Sequence, residues 1–251
     1  MTGKSLTIII PAFNEAKRIV KTLVDADEYI TNNSKAGLFH VIVVDDGSID
    51  DTKEIVTFWI QNESKNKNCF KVLSYMPNRG KGYAVKEGVL NSSSDLVLYT
   101  DADGASPIKE SEKLVSWIDK GSDIVVGSRV LKGENIKVSM TLKRRFVGLT
   151  FHTILRLLNL ANIRDTQCGF KLFKTEALKK IAQKQQCFNY SFDIEYLFLA
   201  KKFGYKIKEV PINWNHVEGS KVSILRDSIK MLLEVLKIRF VYKYNEKKII
   251  G

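Results

Sequence analysis

Phe39-His40-Val41-Ile42-Val43-Val44-Asp45-Asp46-Gly47-Ser48 decides the fold class. The first six residues are a short run dominated by β-branched side chains. Such a run predicts a strand buried on both faces, the hallmark of a parallel sheet covered by helices. The stop is abrupt, because two carboxylates, a glycine and a serine are turn and helix-cap residues. The pattern recurs on either side. Leu6-Thr7-Ile8-Ile9-Ile10 runs into Pro11, Leu96-Val97-Leu98-Tyr99 runs into Asp101-Ala102-Asp103-Gly104, and Ile124-Val125-Val126 runs into Gly127-Ser128-Arg129. A further strand is predicted at 70–75. Helices are predicted at 15–30, 51–61 and 82–90, and another with Pro107 as its first residue. This βαβα rhythm predicts a mostly parallel, doubly wound α/β sheet up to about residue 130. Ligands of such sheets bind beyond the carboxyl ends of the strands, where Asn14-Glu15, Asp45-Asp46, Asp101-x-Asp103 and Arg129 all fall.

The second half changes character. A helix without acidic residues is predicted at 141–161, a strand within 166–173 and a short helix at 174–182. A buried helix at 192–203, a strand at 206–212 and a long helix at 222–244 follow. No repeat, low-complexity tract or linker interrupts the 251 residues, so one domain is expected. With 44% hydrophobic and 27% charged residues and only 4 Pro, the chain can bury a full core, which excludes disordered and collagenous classes. Three scattered cysteines, Cys69, Cys168 and Cys187, exclude a disulfide scaffold and a zinc ribbon and suit a reduced, cytosol-facing setting. No signal peptide is read at the start. No uncharged apolar stretch reaches the roughly 18 residues of a membrane span.

The net charge of +12 asks for an anionic partner. Residues 137–156 carry Lys137, Lys143, Arg144, Arg145 and Arg156 with no acid. Residues 221–248 carry eight Lys/Arg against Asp227, Glu234 and Glu246. Each segment is therefore +5. In the last predicted helix, Arg226, Lys230, Glu234 and Lys237 form a polar stripe opposite Leu225, Ile229, Leu232, Leu233, Leu236 and Phe240. That pattern fits a helix in a membrane interface and equally a helix packed on the domain.

Three motifs carry chemistry. Asp101 and Asp103 stand two apart, about 6.6 Å between Cα atoms on extended chain and on one side of it. They can hold Mg²⁺ or Mn²⁺, hard cations that share oxygen ligands with substrate phosphates, or they can form a solvated turn. Asp45 and Asp46 can accept hydrogen bonds from a base or a ribose, or cap the next helix with Ser48 or Asp50. Asn78-Arg79-Gly80-Lys81-Gly82 enters a helix, where its backbone N–H groups and Lys81 can hold a diphosphate. It is not a P-loop, and no G-x-G-x-x-G follows the first strand. A nucleic-acid partner is disfavoured, since no such motif is present and the strand-end carboxylates would repel a phosphate backbone.

Pro11-Ala12-Phe13-Asn14-Glu15, Val43 to Ser48, Asn78 to Gly82 and Asp101 to Gly104, in that order, resemble glycosyltransferase family 2. In the second half, Asp165-Thr166-Gln167-Cys168-Gly169-Phe170-Lys171-Leu172-Phe173, Phe192-Asp193-Ile194-Glu195 and Trp214-Asn215-His216-Val217-Glu218-Gly219-Ser220-Lys221 are similar to its polyprenyl-phosphate sugar synthases, nearest the dolichyl-phosphate β-glucosyltransferase branch. The likeness runs from about residue 6 to 244.

The resemblance implies a GT-A fold: a single mixed, mostly parallel sheet flanked by helices, with C-terminal amphipathic helices at a membrane. Residues 5–130 would form the nucleotide-sugar half, 131–221 the acceptor half and 222–246 the interfacial helix. It implies inverting, metal-dependent transfer of glucose from UDP-glucose to dolichyl or polyprenyl phosphate. Pro11, Ala12, Glu15, Asp45 and Asp46 would contact the nucleoside, and Lys81 the donor phosphates. Asp101 and Asp103 would hold the metal and ribose, and Ala102 between them would contact the nucleotide sugar. Arg129, Arg145, Ser220 and Lys221 would gather phosphates, Gln167 and Lys171 would shape the acceptor site, and Asp193 would be the catalytic carboxylate alongside Asp103. The mannosyl relatives, which use GDP-mannose, commonly carry Arg in place of His216 and Gln shortly after the D-x-D, where this chain has Gly104-Ala105-Ser106. Both departures favour the glucosyl branch. A peripheral location on an anionic membrane at the cytosolic face follows from the implied acceptor and the basic segments.

Overall fold

The computed structural model describes residues 3–33, 38–133, 136–138, 163–217, 233–234 and 236. Seven strands form one sheet in the order β3-β2-β1-β4-β6-β5-β7. They are β1 (Leu6–Ala12), β2 (Phe39–Asp45), β3 (Phe70–Ser74), β4 (Leu96–Thr100), β5 (Ile124–Ser128), β6 (Phe170–Lys174) and β7 (Ile207–Pro211). The first four pair in parallel, and β5 pairs in parallel with β7. β6 runs antiparallel to both β4 and β5 and separates them. Every residue of β1, β4 and β5 is buried, as runs with no polar alternation require.

Helices cover both faces. One apolar layer joins α1 (Ile19–Asn32), α2 (Thr52–Asn62) and α4 (Ser111–Asp119) to the sheet through Ile8, Ile10, Leu23, Val56, Leu98 and Leu114. The other joins α3 (Lys81–Leu90), α5 (Thr175–Lys184) and α6 (Phe192–Lys202) through Ile9, Val85, Tyr99, Phe173, Ile181 and Leu197. The mostly parallel α/β sheet expected from the sequence is observed.

Two boundaries differ from the expectation. α1 begins at Ile19, not near Glu15. Asn14 takes a left-handed φ of 54°, and its N–H and Oδ1 bond Ser48 Oγ and the Ile49 N–H at 2.9 and 2.8 Å. The chain is held in a loop there before it can coil. Pro107 is extended (φ −60°, ψ 139°) and precedes a short 3₁₀ turn, Ile108–Glu110, rather than opening the helix. The Ile108 N–H is instead capped by Asp25 at 2.7 Å.

Candidate active site

The carboxyl ends of β1, β2, β4 and β5 open on one edge, and the antiparallel β6 starts there, so the turn that leads into it joins them. Asp101 leaves the end of β4 and forms an ion pair with Lys81, the first residue of α3. Burial works to lower the Lys81 ammonium, but the charges of Asp101 and Asp193 overcome it and hold it above its ordinary value. Two carboxylates that lie 92 positions apart in the chain thus act on Lys81, Asp101 by contact and Asp193 through its charge. Asp103 accepts the Ala105 N–H at 3.0 Å, and burial, then the charge of Asp101, push its carboxyl upward. Thr22 Oγ1 donates to the Ala102 carbonyl at 2.8 Å and ties this loop to α1. The Glu15–Arg18 clasp, bidentate at 2.7 and 2.8 Å, stands close enough that Asp103 and Asp101 act on Arg18. Pro11 and Ala12 close β1, where the Asp46 N–H donates to the Ala12 carbonyl at 2.8 Å.

Asp45 and Asp46 are both buried and hydrogen-bonded within the protein. Asp46 is 2% exposed and accepts four donors. Tyr75 Oη and the Arg79 N–H reach Oδ1, and Asn78 Nδ2 and the Gly80 N–H reach Oδ2, all at 2.8 Å. A carboxylate offers about four accepting positions, and the segment between β3 and α3 supplies a donor to each of them on Asp46. Asp45, also buried, takes the Ser48 N–H at 3.2 Å and Ser74 Oγ at 2.9 Å. Both Asp residues shape the wall. Backbone N–H groups around Asn78 to Gly82, expected as a diphosphate cradle, are likewise engaged within the protein. The Arg79 and Gly80 N–H groups face Asp46, and those of Gly82 and Tyr83 face the Phe188 carbonyl at 2.7 and 3.4 Å. The side chain of Lys81 is what this loop presents to the cleft.

Arg129 meets Asp165 through a fork of 2.9 and 2.8 Å plus its own N–H at 2.8 Å, and its guanidinium lies 5.5 Å from the Trp214 ring centroid. Glu209 holds the Arg164 and Asp165 N–H groups at 3.0 and 2.9 Å. Burial opposes the Asp165 charge, but Arg129 wins and depresses its pKa. A depressed carboxyl contributes stability that is present above its unfolded value, near 3.8, and lost as pH falls through the folded value. The melting temperature of the protein is therefore expected to exceed that of Asp165→Asn at pH 7, with the gap shrinking below about pH 4. Thermal melts between pH 7 and 3 check this; a gap that does not change with pH would refute it.

Lys171 was expected at the acceptor. It is 0% exposed, with its ammonium on Asp193 and the Cys168 carbonyl, so it lies beneath the cleft and turns its charge inward. Cys168 beside it is buried, and burial pushes its thiol up to about 12, which leaves it inert. Gln167 sits part-exposed in the turn before β6. The Asn215 N–H donates to the Ala105 carbonyl at 2.8 Å, which brings the His216 segment beside the D-x-D. Arg145, Ser220 and Lys221 lie outside the described residues, as do the helices expected at 141–161 and, but for Leu233, Glu234 and Leu236, at 222–244.

Sequence reasoning missed three participants. Tyr99 read as one more apolar strand residue, yet its hydroxyl donates to Asp193 at 2.6 Å. Gly169 packs directly under the Asp101 carboxylate, where a Cβ would collide with it. The Phe188 carbonyl, which caps α3, carries no side-chain signature at all.

Asp101 and Asp103 suit a hard divalent cation. Such ions commonly share a few carboxylates with substrate oxygens, as Mg²⁺ and Mn²⁺ do. No helix among the described residues is long and apolar enough to cross a membrane.

Comparison with known proteins agrees with this geometry. The profile of glycosyl transferase family 2 matches residues 7–182. A dolichyl-phosphate β-glucosyltransferase of Dictyostelium discoideum is 36% identical over 245 residues, 94% of this chain and 74% of that protein. Those of Saccharomyces cerevisiae and Homo sapiens are each 34% identical, covering 94% and 95% of this chain and 75% and 76% of theirs. Glucosyl-3-phosphoglycerate synthase of Mycobacterium tuberculosis, solved in complex with Mn²⁺ and UDP-glucose, superposes with a TM-score of 0.70 at 19% identity, over 94% of this chain and 79% of that one. That likeness is one of fold, GT-A. A mixed sheet with the D-x-D at its carboxyl edge, a family profile over most of the chain and relatives above 30% identity agree: this chain is a glycosyltransferase and belongs to glycosyltransferase family 2.

Proposed function

We propose that this chain transfers glucose from UDP-glucose to dolichyl or another polyprenyl phosphate at an anionic membrane surface on the cytosolic side, giving a β-linked product. The observation that carries the reading is the wiring of the second half into the D-x-D edge. The turn before β6 packs against Asp101 at Gly169, and the charge of Asp193 on α6 acts on Lys81, which supports donor-side and acceptor-side groups meeting in one cleft. The identity of the relatives over nearly the whole chain supports the same substrates. In this reading residues 5–130 handle the nucleotide sugar, 131–221 the acceptor and 222–246 the membrane interface.

An acceptor phosphate oxygen attacks the anomeric carbon as the bond to the β-phosphate oxygen breaks, and UDP leaves with the electron pair. In-line attack inverts an α donor linkage to β. A phosphate monoester has a second pKa near 6 and is already largely anionic at pH 7, so no strong base is required. Lys81 neutralises charge growing on the leaving diphosphate, and Asp193 orients the acceptor or stabilises positive charge at the anomeric carbon. Asp101 and Asp103 would hold Mg²⁺ or Mn²⁺, which would supply further neutralisation of that diphosphate. Arg129 keeps its guanidinium at the cleft edge, while Arg145, Ser220 and Lys221 are proposed for the acceptor phosphate.

The test offers UDP-[¹⁴C]glucose and GDP-[¹⁴C]mannose separately with dolichyl or undecaprenyl phosphate. An organic-extractable, acid-labile glucose product is expected, lost with EDTA and reduced at least about 100-fold in Asp103→Ala. Label from GDP-mannose alone would overturn the sugar. Intact UDP-glucose binding without transfer to either lipid would overturn the acceptor.

A further inference from the structure

A fully buried lysine on a central strand calls for an explanation, since lysine is almost never buried without a partner. The antiparallel register of β4 and β6 sets Lys171 directly opposite Tyr99. Cross-strand partners project from the same face of a sheet, and here both reach one atom, Asp193 Oδ1, in the first turn of α6. Tyr99 Oη lies 2.6 Å from it, and the Lys171 ammonium pairs with it while also donating to the Cys168 carbonyl at 2.6 Å. Burial, then the negative charge of Asp193, hold the Tyr99 hydroxyl well above its ordinary pKa, so it keeps its proton and donates. Among the described residues, Asp193 Oδ2 accepts no hydrogen bond. The carboxylate keeps 6% of its side-chain surface exposed, and its charge is felt by Lys81 on the cleft side.

We propose that Tyr99 and Lys171 are positioning residues, a two-strand clamp that grips Oδ1 of Asp193 and so fixes where Oδ2 meets the reacting groups. The inference rests on the proposed function only in taking Asp193 as a participant in glucosyl transfer. It explains why a β-strand facing an apolar layer carries a lysine. An apolar residue there would pack, but would leave Asp193 free to turn, and an error of about 1 Å in such a group can cost about 100-fold in rate.

The test uses the full chain with UDP-[¹⁴C]glucose and dolichyl phosphate, measuring kcat, both KM values and the melting temperature. Tyr99→Phe removes one hydroxyl and leaves the ring contacts with Phe173 and Phe192 in place, so it should fold and melt about 3–12 °C below the parent, the loss of one buried hydrogen bond to a carboxylate. Its kcat is expected to fall about 10-fold and that of Lys171→Met about 100-fold, with both KM values within about 2-fold of the parent. Asp193→Asn added to Lys171→Met is expected to restore part of the lost melting temperature, because the uncompensated buried charge is gone. A raised KM for dolichyl phosphate with kcat unchanged would make Lys171 an acceptor contact and overturn the clamp. A lower melting temperature with unchanged kcat would make the pair merely structural, and additive effects of Lys171→Met and Asp193→Asn would deny their coupling. If Lys171→Met does not fold, Tyr99→Phe decides by the same kinetic split. A parent protein that transfers no glucose would count against the proposed function, and the clamp would then stand or fall on the melting cycle.

Discussion

A Gly169→Ala protein is expected to fold, to melt within about 3 °C of the parent and to transfer sugar at least about 100-fold more slowly. The reason is local. A Cβ at position 169 would fall inside the Asp101 carboxylate. Neither that Cβ nor the β-strand it precedes can move far, but the end of an aspartate side chain can. The fold therefore yields by rotating Asp101 away, at small cost in stability, and that rotation breaks its ion pair with Lys81 and displaces a proposed metal ligand. Melting curves and steady-state kinetics on the same preparation check the split. Unchanged kcat would show that Asp101 has no fixed place in the reaction.

The second large effect is one of stability. Asp46→Ala strips the acceptor from Tyr75 Oη, Asn78 Nδ2 and the Arg79 and Gly80 N–H groups at once. At about 1–3 kcal/mol for each buried donor left unpaired, with water relieving some, a loss of about 3 kcal/mol is expected, or about 6–12 °C in melting temperature. Asp46→Asn should not rescue it. Tyr75 and Asn78 can reorient to accept from a carboxamide, but each carboxylate oxygen also faces a backbone N–H that cannot. Whichever way the amide is placed, its NH₂ opposes either Arg79 or Gly80. Activity should fall as well, since Lys81 follows directly on this loop. An Asn variant as stable as the parent, measured by urea unfolding, would refute the argument.

Much of this site is visible from the sequence because its first half is built locally. A buried strand that ends in a polar cluster needs no partner information to be read, and so Asp45-Asp46, Asp101-x-Asp103 and Arg129 are found at strand ends. The roles of those residues are less legible. Whether the Asp46 carboxylate is met by the segment after β3 depends on where Tyr75 and Asn78 come to rest, about thirty positions on. Tyr99 and Lys171 are harder still. Their pairing exists only through the register of β6 against β4, and a five-residue strand that arrives antiparallel gives no sign of which neighbour it will choose. Gly169 is visible as a glycine, but the close approach it permits is set by Asp101, 68 positions earlier. Gly80 is the reverse case. Its φ of 99° and the Phe188 carbonyl 2.5 Å from any added Cβ would make alanine strained there on both counts.

The place of β6 has a consequence for how the chain is made. β4 and β5 do not bond to each other; residues 170–174 must be inserted between them. A growing polypeptide that has left the ribosome only as far as β5 holds β1 to β4 as a sheet with an open edge, and β5 with nowhere to dock. Closure waits for about fifty more residues, several seconds at ordinary rates of synthesis. The unpaired edge of β4 during that interval is apolar and fully extended, the kind of surface that chaperones shield and that aggregates when they do not. The join that lets acceptor-half residues reach the donor cleft thus forms late and leaves an open sheet edge during synthesis.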